Sequence, residues 1–175
     1  MQAPTSGDMF PRQEVPRVGG GTLVLGVPDD TGCDWQMVVV HRGLHCPLCK
    51  RYLAGLEAMQ DRFRGLGVAP VCVSADPEEK ARAFADEVGL TLPAGYALSL
   101  PQMRAMGLYV SDPMDAQETD RPFPEPGLFV INAEGRLQVA DISNAPFARP
   151  DLEGLAHGLE YVRANAYPIR GMRAA

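Results

Sequence analysis

The stretch Val38-Val39-Val40-His41-Arg42-Gly43-Leu44-His45-Cys46-Pro47-Leu48-Cys49-Lys50-Arg51-Tyr52-Leu53 is where the chain changes from one kind of structure to another. Its first part, with Met37, is a continuous apolar and mainly β-branched run, the pattern of a strand buried on both faces. Its last part opens a helical spacing, Tyr52, Leu53, Leu56, Met59 and Phe63, closed by Gly65 and Gly67. Cys46 falls between them, where the strand has ended and the helix begins. Free backbone N–H groups and the positive end of the helix dipole stabilise an anion there, and the thiolate is the reactive form of cysteine. Cys49 follows one helical turn later, on the same face. Pro47 fixes the first turn and lacks an N–H that this position does not need. Arg42 and a protonated His45 bring positive charge to the same loop.

Outward from this segment, Val68–Ser74 reads as the next buried strand. Asp76-Pro77-Glu78-Glu79 reads as a helix start, with Asp76 as the cap and the acids near the positive dipole end. Ala81, Phe84, Ala85 and Val88 are its inner stripe and Gly89 its stop. A shorter helix runs from Ser99 to Gly107. Residues 111–126 are polar and proline-containing, a long loop of the kind that carries function or moves. Gly127–Asn132 and Arg136–Ile142 form a hairpin around Ala133-Glu134-Gly135, and Pro150 opens a last helix. Upstream, Thr22–Val27 is a short strand and Asp29-Asp30-Thr31-Gly32 a turn. Residues 1–21 show no sustained period and are expected to be an arm, residues 22–165 one domain, and residues 166–175 a tail. Strands separated by helices pair in parallel, and the hairpin adds an antiparallel edge. The expected fold is α/β: a central mixed sheet flanked by helices, with an extra N-terminal strand.

Composition narrows the function. Hydrophobic residues are 46% and charged residues 22% of 175, the balance of a globular chain, with net charge −6. No basic stripe suits nucleic acid. No apolar run reaches the roughly 18–20 residues of a membrane span, and Met1–Gly21 lacks the basic-then-apolar order of a secretory signal. A cytoplasmic location is the expectation, and four cysteines in a reducing compartment are not a disulfide framework. A close pair there is catalytic or metal-binding. Zinc takes four ligands, and the remaining cysteines, Cys33 and Cys72, are single; Cys72 reads as core and Cys33 has no assigned role. His41 is open between a strand end and the site. His157 reads as surface or packing, and Trp35 as core.

Three segments carry a family resemblance: VVVHRGLHCPLCKRYL (38–53), VCVSADPEEKARAFADEVGL (71–90) and EPGLFVINAEGRL (125–137). Together they resemble the peroxiredoxin-like proteins of the alkyl hydroperoxide reductase/thiol-specific antioxidant group, in the thioredoxin superfamily. The likeness implies a thioredoxin-like fold from Thr22 to Val162, with Cys46 as the attacking cysteine and Cys49 as the resolving one. It implies that Pro126 follows a cis peptide bond, faces the cysteines and helps position the substrate; Arg42 and His45, which flank Cys46 in the chain, are read as positioning the substrate with it. The reaction implied is reduction of a hydroperoxide, or of a disulfide, through a redox-active CxxC disulfide. A thioredoxin or glutathione system would supply the reducing thiols, with no metal or organic cofactor. No nucleic-acid or membrane partner is implied, and sheet edges and the arm offer surfaces for a homodimer.

Two departures stand out. Val39 and Gly43 occupy the places where typical members carry the proline and threonine of Pro-x-x-x-Thr-x-x-Cys, so the hydroxyl that positions peroxide is missing. Pro126 occupies the region of the family's later arginine. Pro47-Leu48 looks like the Pro-Tyr of glutaredoxins, which keeps a thiol–disulfide reductase open beside the peroxidase. A redox-sensing or zinc-binding module is the non-enzymatic alternative.

Overall fold

The computed structural model describes residues 4–28 and 32–173, so most of the turn expected at 29–32 lies outside them. Along the chain run β1 (Gln13–Pro16), β2 (Thr22–Leu25), β3 (Trp35–Val40), α1 (Pro47–Gly65), β4 (Val68–Val73), α2 (Glu78–Val88) and β5 (Ala94–Gly95). Then follow α3 (Leu100–Ala105), β6 (Val110–Ser111), β7 (Phe123–Pro124), β8 (Gly127–Ile131), β9 (Leu137–Ile142) and α4 (Leu152–Ala164).

The expected mixed sheet is present, with strand order β5-β4-β3-β8-β9. β3 pairs in parallel with β4 and antiparallel with β8, which explains its unbroken apolar run: it is the central strand. Its side chains alternate between two cores. Met37 and Val39 pack with Leu53, Leu56 and Phe63 of α1, Phe84 of α2 and Leu152 and Leu159 of α4. Val38 and Val40 pack with Phe129, Met103, Leu23 and Leu25 on the other face.

That second face is covered by α3 and by an antiparallel ribbon of β1 and β2. The stretch expected as an arm therefore folds onto the domain. Phe10 and Val15 are buried, Phe10 lies 5.3 Å from Phe129, and Gly7 donates its N–H to Leu137. The extra N-terminal strand is half of this ribbon, not a sixth strand of the sheet. Gln36 ties the two layers together. Its buried amide takes the N–H of Gly26 at 2.6 Å and donates to the carbonyls of Val24 and Val27 at 3.0 and 2.8 Å.

The topology gathers one pole of the molecule. Val40 at the end of β3 is level with Val73 at the end of β4, with Gly127 at the start of β8 and, through Gly127, with Ile142 at the end of β9. Four segments therefore emerge together: residues 41–46, 74–77, 124–126 and 143–151.

Two local expectations are corrected. Asp76 does not cap α2; that helix begins at Glu78 behind Pro77, with no side-chain cap, because the Asp76 carboxylate is committed to the loop before α1. All described peptide bonds are trans, Glu125–Pro126 included. The chain there runs extended from β7 into β8, with the Glu125 N–H donated to Tyr109 and the Pro126 carbonyl taking Ser143 N–H. Nothing in such a stretch offsets the trans preference of about 0.5–1 kcal/mol.

Candidate active site

Cys46 is the N-cap of α1, extended at φ −101° and ψ 102°, with Pro47 at the first helical position. Its sulfur accepts the N–H of Cys49 at 3.2 Å, one of the amides that a helix start leaves without a backbone partner. Cys46 and Cys49 are joined as a disulfide with Cα atoms 5.3 Å apart. Both are buried, at 2% and 0% exposure, so the two sulfurs lie beneath the surface of the pole.

The loop that delivers Cys46 is held by Asp76, whose carboxylate accepts Leu44 N–H at 2.7 Å. Gly43 sits directly against it at φ +116°, and a β-carbon there would come within 2.5–2.8 Å of three carboxylate atoms. This accounts for the missing threonine: Asp76 fills the place where its side chain would go. Burial raises the Asp76 carboxyl above the usual carboxylate range, opposed by the Leu44 N–H and Lys80.

Arg42 finds its partners in the segment before β8. Its guanidinium lies 4.7 Å over the Phe123 ring, 3.1 Å from Glu118 and 3.3 Å from Glu125. The Glu125 contact is one of charge and not an aligned hydrogen bond. Glu125 also receives the Ser111 hydroxyl at 2.7 Å. A buried carboxylate, Glu125, and a half-buried one, Glu118, thus neutralise the cation expected beside Cys46. His45 stands edge-on to Phe123 with Nε2 4.0 Å from Glu118. Burial first and Arg42 second hold its imidazole below the usual value, against Glu118, which favours the charged form. His41 is buried and stacked on Phe84 at 4.3 Å; burial, Arg149 and His45 push it down to about 3.

Among the described residues the cation that reaches a sulfur of the pair is Arg149, which no motif in the sequence marks. Its Nη2 donates to Cys49 Sγ at 3.1 Å, Nη1 to Val40 O at 3.4 Å and Nε to Pro146 O at 3.3 Å. The guanidinium rests 4.9 Å from the Tyr52 ring centroid, and the Tyr52 hydroxyl donates to Pro150 O at 2.9 Å. A groove of about 500 Å³ opens beside it, walled by Leu48, Arg51, Tyr52, Met59, Phe147 and Pro150 among others. The only clue to Arg149 in the sequence was topological: a hairpin that ends beside β3 must return the chain to the cysteine pole.

The loop between β6 and β7 is pinned over this pole by Glu118 on Arg42 and by Asp120 on Lys80 at 2.7 Å. Pro126 is buried at the head of β8. Cys72 is buried in β4, and burial pushes its thiol up to about 12; Cys33 lies outside the pole with Sγ 3.9 Å from Arg64 O. His157 is exposed, and Trp35 is half-buried beneath Arg163. Among the described residues no three His, Cys, Asp or Glu side chains gather to hold a metal ion, and no helix is long and apolar enough to cross a membrane.

The AhpC/TSA family model matches residues 6–140. No curated protein sequence matches the chain. Among solved structures, a cysteine-to-serine mutant of peroxiredoxin 6 from Arenicola marina superposes with a TM-score of 0.76 at 19% identity, over 93% of this chain and 75% of that one. A peroxiredoxin-like protein from Aquifex aeolicus gives 0.74 at 14% identity, over 93% and 90%. The AhpC of Mycobacterium tuberculosis gives 0.74 at 14%, over 98% and 100%. At these identities the superpositions establish the fold.

Proposed function

The chain belongs to the AhpC/TSA family, and we propose that this thiol-dependent peroxidase uses Cys46 to attack the hydroperoxide and Cys49 to resolve the product. The observation that carries the assignment is the placement of Cys46 Sγ at the start of α1, accepting a helix N–H, with Cys49 in bonding contact. The Cys46 thiolate attacks one peroxide oxygen: the S–O bond forms, the O–O bond breaks and the alcohol or water leaves with a proton. Cys49 thiolate then attacks the sulfenic sulfur, expelling water as the disulfide closes. Arg42 and His45 act by holding the loop over the pair, and Pro126 lines the same pole. A dithiol of the thioredoxin type, or glutathione, returns the pair to the reduced state. The setting is the cytoplasm, and a homodimer is the proposed assembly.

A Cys49→Ser variant given one equivalent of hydroperoxide should accumulate sulfenic acid on Cys46, read by a sulfenic-specific label and mass spectrometry. The wild type should form the disulfide and consume peroxide catalytically with a dithiol. Oxidation of Cys46 no faster than that of a small-molecule thiolate would sink the peroxidase assignment and leave a thiol–disulfide reductase.

A further inference from the structure

We propose that Arg149 is a catalytic residue that serves Cys49 and not Cys46, holding Cys49 as a thiolate both when it closes the disulfide and when it leaves it. This rests on the roles given above to the two sulfurs. Of Arg42 and Arg149, only Arg149 lacks an ion-pair partner among the described residues; Glu125 and Asp141 favour its charge from longer range, and Arg42 opposes it. Arg42 is matched by Glu118 and Glu125. Among the described residues no carboxylate lies within ion-pair distance of Arg149; its partners are two backbone carbonyls, the Tyr52 ring and Cys49 Sγ. Partial burial lowers its guanidinium to about 10, which leaves it cationic at neutral pH.

The two sulfurs have separate donors: Cys46 has the amide of Cys49, and Cys49 has Arg149. A buried thiolate without a donor is costly, and the Cys49 N–H of the first turn is already given to Cys46 Sγ. The guanidinium supplies that missing donor with a full charge. In the oxidative half-reaction the Cys49 electron pair forms the S–S bond and hydroxide leaves Cys46, taking a proton to become water. In the reductive half, a reductant thiolate attacks Cys46 Sγ. The new S–S bond forms there while the Cys46–Cys49 bond breaks, its electron pair passing to Cys49 Sγ beside Arg149. A second reductant thiolate then releases Cys46 and is oxidised with the first to a disulfide. A better-stabilised leaving sulfur leaves faster, so Arg149 directs attack to Cys46. Tyr52 is a positioning residue, fixing the guanidinium through its ring and the Pro150 carbonyl.

The test reads Cys49 alone. In a Cys46→Ser background, the pH midpoint of Cys49 alkylation should rise by about one to two units with Arg149→Gln, as expected for loss of a charged hydrogen bond. It should return most of the way with Arg149→Lys. In the intact pair, reduction by dithiothreitol at fixed thiolate concentration should slow roughly ten- to a hundredfold with Arg149→Gln. Tyr52→Phe keeps the ring and loses the Pro150 bond, so it should shift the Cys49 midpoint upward by a smaller step; it carries the test should Arg149→Gln not fold. An unmoved Cys49 midpoint in these variants, or a shift confined to Cys46 in a Cys49→Ser background, would overturn the proposal. None of these readouts uses peroxide, so failure of the peroxidase assignment would appear separately, in the sulfenic acid experiment.

Discussion

Restoring the family threonine by Gly43→Thr should damage this protein rather than improve it. Gly43 sits at φ +116° with the Asp76 carboxylate 2.5–2.8 Å from where a β-carbon would stand. The left-handed backbone alone costs an L-residue about 1–2 kcal/mol, and a β-branched one no less. Displacing Asp76 also breaks the 2.7 Å bond from Leu44 N–H, worth about 1.5–3 kcal/mol for a charged acceptor. Together these predict a loss of about 3–5 kcal/mol, or a melting point lower by roughly 6–20 °C in a chain of this length. The steric and conformational parts can be separated. Gly43→Ala should cost at least about 1 kcal/mol less in an Asp76→Ala background than in the wild type, because the clash disappears and only the backbone strain remains. Urea or thermal unfolding of the reduced proteins gives the energies, and peroxide consumption with a dithiol gives the activity. A Gly43→Thr protein that melts within a degree or two of wild type and turns over peroxide faster would refute the reasoning: it would mean that Gly43 is a vacancy and not a fitted contact.

Two further outcomes follow from buried polar groups. Gln36→Leu strands the Gly26 N–H and the Val24 and Val27 carbonyls under the ribbon; a loss of about 2–4 kcal/mol is expected by urea unfolding, and a loss under 1 kcal/mol would show that the ribbon is not tied down by this amide. His41 is held to about 3 when folded against 6.5 when free, so the unfolded chain takes up a proton that the folded chain refuses. Stability from this group is complete above pH 6.5 and falls as pH drops toward 3, by up to about 1.4 kcal/mol per unit. His41→Phe, which keeps the ring on Phe84, should flatten the decline between pH 6 and pH 4, and parallel unfolding midpoints for the two proteins would remove His41 as its source.

What could be read from the sequence was what lies in contiguous chain. The change from a β-branched run to helical spacing around Cys46 and Cys49 is a local signal, and it located the strand, the helix start and the redox pair together. Of the ribbon only β2 was legible, as the short strand Thr22–Val27; β1 is four residues long and buries only Val15, too little for a period to show. Asp76 misled for the opposite reason. Asp-Pro-Glu-Glu is a strong local cap pattern, and a tertiary partner, the Leu44 N–H, outbid the helix for the carboxylate.

The arginines show why nearness along the chain is a poor guide to nearness in space. Arg42 precedes Cys46 by a few residues and brings positive charge to its loop, but sequence distance says nothing about which carboxylates arrive from elsewhere. Glu118 and Glu125 come from a loop with no periodicity and claim Arg42. Arg149 lies 100 residues from Cys49 and reaches its sulfur because β8 runs against β3, and β9 against β8. Each antiparallel step reverses the chain, so the exit of β9 must fall at the same pole as the exit of β3. The hairpin was legible and that consequence could have been drawn from it. Once it is drawn, the Arg149-Pro150 dipeptide ahead of α4 becomes the cation to test, and Arg42 becomes the anchor of the loop above it.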